Sequence, residues 1–301
     1  MTTPRPISFS QMSLNARIRN VARALGLPAK AVRIDFFRQR FLARIFDDPT
    51  APWIVTGGGG LLVRLPGARS SADLDLIRLG VEITDAIDEL RRLGGARPDI
   101  DPFVFQVDRS KQLTGDAAAG AELQVSVYHG ATLLQTFPLD LAVDKMIIGE
   151  IETHTPTAVL DLAGFSALPP VRLIPVPSQL ADKVCAMVAR YGDTRQPSSR
   201  YRDLADMCFI VGNFTFDAAF VWAALDFQQQ RRGLQLPAVL QSPGHEWTRA
   251  YPALAKETAL PAELHGLDAA LAFVGACLNQ ILDGTRRRGH WDPHAHAWIE
   301  V

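Results

Sequence analysis

Two aspartates separated by one residue, Asp73 and Asp75, close the stretch Gly57–Asp75, which reads GGGGLLVRLPGARSSADLD. On a β-strand alternate side chains share a face, so both carboxylates would project together. Paired carboxylates are hard oxygen donors suited to Mg²⁺ or Mn²⁺. Ions held this way, two of them roughly 3.5–4 Å apart, clamp the charge that builds in phosphoryl transfer. An Asp-x-Asp pair alone is common on surface strands. Its weight here comes from the glycines upstream, Gly57 and Gly58, which follow Thr56 and open an apolar, helix-sized piece. Backbone N–H groups at a helix N-terminus bind phosphate, and glycine permits close approach. The plain alternative for these glycines is a flexible loop with no ligand. No Lys-Ser/Thr follows as in a P-loop, and Gly-x-Gly-x-x-Gly is imperfectly placed for a dinucleotide fold.

Further residues extend this set. Arg69 precedes the aspartates and can hold a triphosphate or pair with an aspartate; Ser71 can bond a phosphate or cap the loop; Arg64 reads as a ligand or as a solvated helix residue. A third carboxylate is expected. Asp140 in QTFPLDLAV is flanked by apolar residues, where an acid is costly unless paired with metal or base, or else it is an acid on an edge strand facing water. Glu122 and Asp144 are weaker substitutes. In PVPSQLADKVCAM, Ser178 is positioned to cap a helix carrying Lys183. Lys183 can neutralise phosphate or assist a leaving group, or it can snorkel. Asp203 and Asp206, three apart on the next helix, can share a face. The seven histidines form no metal spacing, and His290, His294 and His296 read as a polar tail. There is no Gly-x-Ser-x-Gly and no nucleophile triad.

The elements that must place these groups follow from periodicity. Helical spacing spans 12–25 and 32–46, with Pro28 and Pro49 just outside. Residues 53–56 are a short strand or a helix entrance; a helix begins near Gly59 and stops at Pro66-Gly67; Ala72–Leu79 alternates as a strand. A helix over 81–93 and strands over 103–108, 121–128, 132–143 and 171–175 follow, with a tight turn at His129-Gly130. From Ser178 the pattern is helical, over 180–191, 201–209, 216–231, 247–256 and 264–282. The fold class is therefore α+β: a mixed α/β N-terminal half, then a mainly helical C-terminal region. The division expected is N-terminal helices over 1–50, a core over 51–170 and a helical region over 171–301 that contributes to the active site.

Composition bounds the alternatives. The chain has 301 residues, 48% hydrophobic and 21% charged, with 31 basic and 32 acidic side chains for a net charge of -1. No basic excess marks a nucleic-acid binder, although a local patch remains open. Arg33/Arg38/Arg40/Arg44, Arg190/Arg195/Arg200/Arg202 and Arg286/Arg287/Arg288 are candidate patches or ordinary solvated faces. Cys185, Cys208 and Cys277 lie far apart among apolar residues, which fits a reducing cytoplasm rather than a disulfide framework. Neither a signal segment nor a membrane span is expected.

The motifs together resemble the AbiEii-like nucleotidyltransferase toxins of bacterial toxin–antitoxin systems, especially the mycobacterial MenT-type members. TGGGGLL followed by RSSADLD matches that family's first motif at Gly57, Gly58, Arg69, Ser71, Asp73 and Asp75; PVPSQLADKVCAM places Lys183 at its functional lysine; RDLAD places Asp203 at its functional acid, with Asp206 supporting. Four consecutive glycines stand where the family more often has Gly-Gly-Thr/Ala-x. The resemblance implies a polymerase-beta-like nucleotidyltransferase core with a mixed sheet. It implies Mg²⁺ or Mn²⁺ held by Asp73 and Asp75 with Asp140 or Asp203, and an NTP held by Gly57, Gly58, Arg69, Ser71 and Lys183. Asp73, Asp75, Lys183 and Asp203 would be catalytic. It further implies transfer of a pyrimidine nucleotide to the tRNA acceptor end, inhibition of translation, growth arrest and a cognate antitoxin. A protein or small-molecule acceptor, or a non-catalytic nucleotide-binding module, are the alternatives.

Overall fold

The computed structural model describes residues 10–71, 73–112, 120–143 and 145–300. The chain divides into two compact units, Met1–Met146 with Glu152–Leu173, and Ile147–Ile151 with Ile174–Val301.

The first unit opens with helices α1 (Gln11–Leu25) and α2 (Ala29–Ile45). Ser10 caps α1 by accepting from the Ser13 N–H at 3.3 Å, and Gly26 ends it at φ 67°, a left-handed stop that glycine allows. Then come β1 (Trp53–Thr56), α3 (Gly57–Arg64), β2 (Leu74–Arg78), α4 (Ile83–Gly94), β3 (Val104–Gln112), β4 (Gly120–His129), β5 (Thr132–Val143), β6 (Glu152–His154) and β7 (Val171–Leu173). Residues 53–56 are thus a strand, and α3 starts two residues before the expected Gly59. The expected strand from Ala72 begins at Leu74; Ala72 itself, like Asp144, lies outside the described residues.

Among the described residues the strands form one mixed sheet in the order β3-β4-β5-β2-β1-β7-β6. Strands β2 and β5 run parallel, as do β1 and β7; β1/β2, β3/β4, β4/β5 and β6/β7 are antiparallel. Leu74, Leu76, Leu139 and Leu141 join Phe36, Phe37 and Phe41 of α2 in the core. By the two-residue alternation of a strand, Asp75 and Asp140 take the opposite face of the sheet.

Helix α2 is fixed by both apolar and ionic contacts. Phe37 meets Phe103 edge to face at 5.2 Å, and Phe41 stacks on Phe105 at 5.1 Å. Arg44, fully buried, donates to Asp101 at 2.6 Å and to the Phe103 carbonyl at 2.7 Å, and lies over the Phe105 ring. Arg40 donates to the same Asp101 at 3.3 Å and to the Ile100 and Ser166 carbonyls. This corrects the reading of Arg38, Arg40 and Arg44 as a patch or solvated face: all three are buried.

The second unit is mainly helical. It contains α5 (Val176–Val188), a short hairpin of β8 (Arg190–Tyr191) and β9 (Gln196–Pro197), α6 (Tyr201–Asn213), β10 (Phe216–Asp217), α7 (Ala218–Arg232), α8 (Trp247–Ala255), α9 (Leu267–Leu282), β11 (His290–Asp292) and β12 (Ala297–Ile299). Helix α5 begins at Val176, with Pro177 in its first turn, where a missing N–H costs nothing. Ser178 is therefore not its cap. Its hydroxyl donates to the Ile148 carbonyl and accepts from the Ile148 N–H, each at 2.8 Å. The expected helix over 264–282 starts at Leu267, after a short 3₁₀ turn at Ala262–Leu264.

The His-rich tail is a folded element. Strands β10, β11 and β12 form a small antiparallel sheet. It buries Trp291, whose indole donates to the Val211 carbonyl at 2.7 Å. His296 stacks on Phe273 at 4.0 Å. The histidines read as a polar run because their partners are distant in sequence. No described helix is long and apolar enough to cross a membrane.

Candidate active site

Two adjacent strands set the carboxylates. Asp75 in β2 is the register partner of Asp140 in β5 and of Thr56 in β1. Asp73 stands just before β2. One carboxylate oxygen from each of Asp73, Asp75 and Asp140 lies within 4.8 Å of the others, the only such group found among the described residues. Three hard anionic donors on one side suit a divalent cation that prefers oxygen, as Mg²⁺ and Mn²⁺ do. Glu122 faces Asp140 across β4 and β5 in register and stands outside this group. Asp140 is exposed at its position in β5, with β4 on one side and β2 on the other, so it is not on an edge strand.

The glycine motif is shaped around these groups. Gly57 holds φ +58°, and a Cβ there would stand 2.0 Å from Asp75 Oδ2. A Cβ on Gly58 would stand 2.5 Å from Arg69 Nη2 and 2.6 Å from Ser71 Oγ. The first two glycines therefore let the start of α3 lie directly against the loop that carries Arg69, Ser71 and the aspartates. Gly59 is different: a Cβ there meets only ordinary contacts, at 3.6 Å from Leu74.

Ser71 and Arg69 are both buried. Ser71 Oγ donates to Asp73 Oδ1 at 2.8 Å, and Arg69 Nη1 donates to the Ser70 carbonyl at 2.7 Å. Arg64, expected as ligand or solvated, has a buried side chain paired with Glu152 at 3.2 Å. Burial alone would raise the Glu152 carboxyl, but the Arg64 hydrogen bond and charge, with His154 beside it, hold it below its ordinary value.

Lys183 and Asp203 belong to the second unit. Lys183, at 7% exposure, lies between Asp203, at 3.2 Å from its Oδ1, and Asp206, which is fully buried and paired with the ammonium. Arg200 Nε reaches the other Asp203 oxygen at 2.5 Å. Two cations thus meet two carboxylates, which is how buried charge is tolerated. The three-residue spacing of Asp203 and Asp206 does put them on one face, turned toward Lys183 of α5.

One participant was not legible. Arg38 of α2 donates from Nη1 to the Asp73 carbonyl at 2.5 Å, while its other nitrogen pairs with Asp35. Nothing in an arginine on an amphipathic helix announces a distant carbonyl as its partner.

A family model described as nucleotidyl transferase AbiEii toxin, type IV toxin–antitoxin system, matches residues 40–273. No curated protein matches the chain. Among solved structures the chain is similar to MenT4, a nucleotidyltransferase toxin of Mycobacterium tuberculosis H37Rv, at 19% identity and a TM-score of 0.56, covering 93% of each chain. It is also similar to JHP933 of Helicobacter pylori, at 15% identity and a TM-score of 0.44, covering 92% of this chain and 94% of that one.

Proposed function

Since the chain belongs to the AbiEii nucleotidyl transferase toxin family, we propose that it moves a pyrimidine nucleotide from an NTP to the 3′ acceptor end of tRNA. A tRNA so extended cannot be charged, so translation and growth would stop until a cognate antitoxin intervenes. The observation that carries the metal-dependent transfer is the convergence of Asp73, Asp75 and Asp140 beside a glycine-opened helix; the pyrimidine nucleotide and the tRNA acceptor follow from the family resemblance.

In this reading Asp73, Asp75 and Asp140 hold Mg²⁺ or Mn²⁺. The bound metal supplies Lewis-acid stabilisation of charge on the phosphoryl oxygens. Gly57 and Gly58 admit the triphosphate to the N–H groups at the start of α3. Arg69 and Ser71, buried beside Gly58, orient it. The acceptor hydroxyl oxygen bonds to the α-phosphorus, the bond to the α–β bridging oxygen breaks, and pyrophosphate leaves. The hydroxyl proton passes to an aspartate of the cluster. Holding both reactants in line supplies much of the rate. Lys183 and Asp203 are further residues on which transfer is expected to depend; the family resemblance supports this.

The test is incubation of the purified protein with total tRNA, Mg²⁺ and each α-labelled NTP in turn. Label on tRNA with CTP or UTP is the expected result. NTP binding without label on tRNA would contradict the acceptor and direct the search to proteins or small molecules.

A further inference from the structure

We propose that Arg38 is a positioning residue for the metal site, holding the main chain of Asp73 so that its carboxylate stands with those of Asp75 and Asp140. The inference rests on reading those carboxylates as a metal site.

The three acids are not held alike. Asp75 is laddered to Thr56 on one side and Asp140 on the other, and Asp140 is laddered to Asp75 and Glu122. Hydrogen bonds of the sheet fix both backbones. Asp73 precedes the first laddered residue, Leu74. Its carboxylate is met by Ser71, at 2.8 Å, and its carbonyl by Arg38, at 2.5 Å. A side chain from another element therefore does for Asp73 what the sheet does for the other two.

Arg38 is built for this task. Its side chain is 5% exposed, and its planar fork bonds Asp35 with one nitrogen and the Asp73 carbonyl with another. A guanidinium can do both at once in fixed geometry, whereas an ammonium is a flexible point charge. A charged donor to a carbonyl out of water is among the stronger hydrogen bonds. Asp35, one turn earlier on α2, sets the guanidinium plane. The helix itself is anchored through Arg40 and Arg44 to Asp101, so the fork has a rigid base. Groups that hold a metal ligand in place commonly change metal affinity about 10- to 100-fold when removed.

The test is Mn²⁺ binding to the full chain without nucleotide, followed by electron paramagnetic resonance of the unbound ion. The proteins are wild type, Arg38→Ala, Arg38→Lys, Asp75→Asn and Phe36→Leu, the last a core variant of the same helix that lowers stability while keeping the Arg38 fork. Thermal unfolding is recorded on each. Expected is a loss of about 10- to 100-fold for Arg38→Ala, a smaller loss for Arg38→Lys, and wild-type affinity for Phe36→Leu. Wild-type affinity in Arg38→Ala, or an equal loss in Phe36→Leu, would overturn the inference while leaving the metal site standing. If Arg38→Ala does not fold, Arg38→Lys decides: reduced affinity supports the inference and wild-type affinity overturns it. A wild type that binds no Mn²⁺, or Asp75→Asn binding as tightly as wild type, would instead sink the metal-site reading and the inference with it.

Discussion

Gly57 and Gly59 are two residues apart and should respond oppositely to the same methyl group. At Gly57 an alanine would need φ near +58° and would place its Cβ 2.0 Å from an Asp75 oxygen. Either the carboxylate or the start of α3 must move, so Gly57→Ala is expected to cut transfer at least about 100-fold, as misplacement of about 1 Å can. At Gly59 the methyl meets ordinary contacts, and alanine is the better helix former by about 1 kcal/mol. Gly59→Ala should keep wild-type transfer and raise the urea midpoint. Of the four glycines only the first two face the aspartate loop. Asp75 was legible because strand alternation is a two-residue rule, whereas Asp73 stands just before β2 and is not itself a strand residue. Arg38 was not legible, because the carbonyl it serves is 35 residues away.

Helices α5 and α6 raise a different question, since Lys183 has a structural task whatever its chemistry. Removing one partner of a buried ion pair typically costs about 3–5 kcal/mol, whereas an apolar replacement of both is often neutral. Lys183→Met alone should therefore destabilise by about that amount, seen in urea unfolding. Lys183→Met with Asp206→Leu should recover much of the loss. Transfer is expected to stay abolished in the recovered double variant; restored transfer would reduce Lys183 to a packing residue. The helices were readable from 3.6-residue periodicity, and the spacing of Asp203 and Asp206 gave their shared face. The pattern reads as helical from Ser178, whereas α5 begins at Val176 with Pro177 in its first turn. The arginines of α2 were misjudged as well. Periodicity marks which face is inward, and says nothing of an inward cation that finds Asp101 across the fold.

At the scale of the whole molecule, the second unit carries its own reporter groups. All three cysteines lie in it, each at 2% exposure or less. Burial pushes the Cys185 thiol up to about 11, that of Cys208 up to about 12, and that of Cys277 well above its ordinary value. Inaccessible, protonated thiols do not react. A thiol reagent should therefore label none in the native protein at pH 8 and three in urea, with native labelling paced by opening of this unit. The linkage has one sign: a pKa raised on folding gives stability that is fully present below the unfolded thiol value, 9.0, and lost as pH rises from there through the folded values, about 11 for Cys185 and about 12 for Cys208. Unfolding free energy should fall above about pH 9, and the part of that slope between about pH 9 and about pH 10 should go when the cysteines are replaced by alanine, while burial of Tyr251 and Tyr191 keeps a slope above it. The small sheet at the end of this unit was hidden because its strands are three residues or fewer, too short for any alternation to register. The central claim, metal-dependent nucleotidyl transfer by Asp73, Asp75 and Asp140, is tested most directly by label transfer from NTP to tRNA in wild type beside Asp75→Asn and Asp140→Asn, all verified as folded. A fall of at least about 1,000-fold in both variants is expected; turnover at the wild-type rate in Asp75→Asn would contradict it.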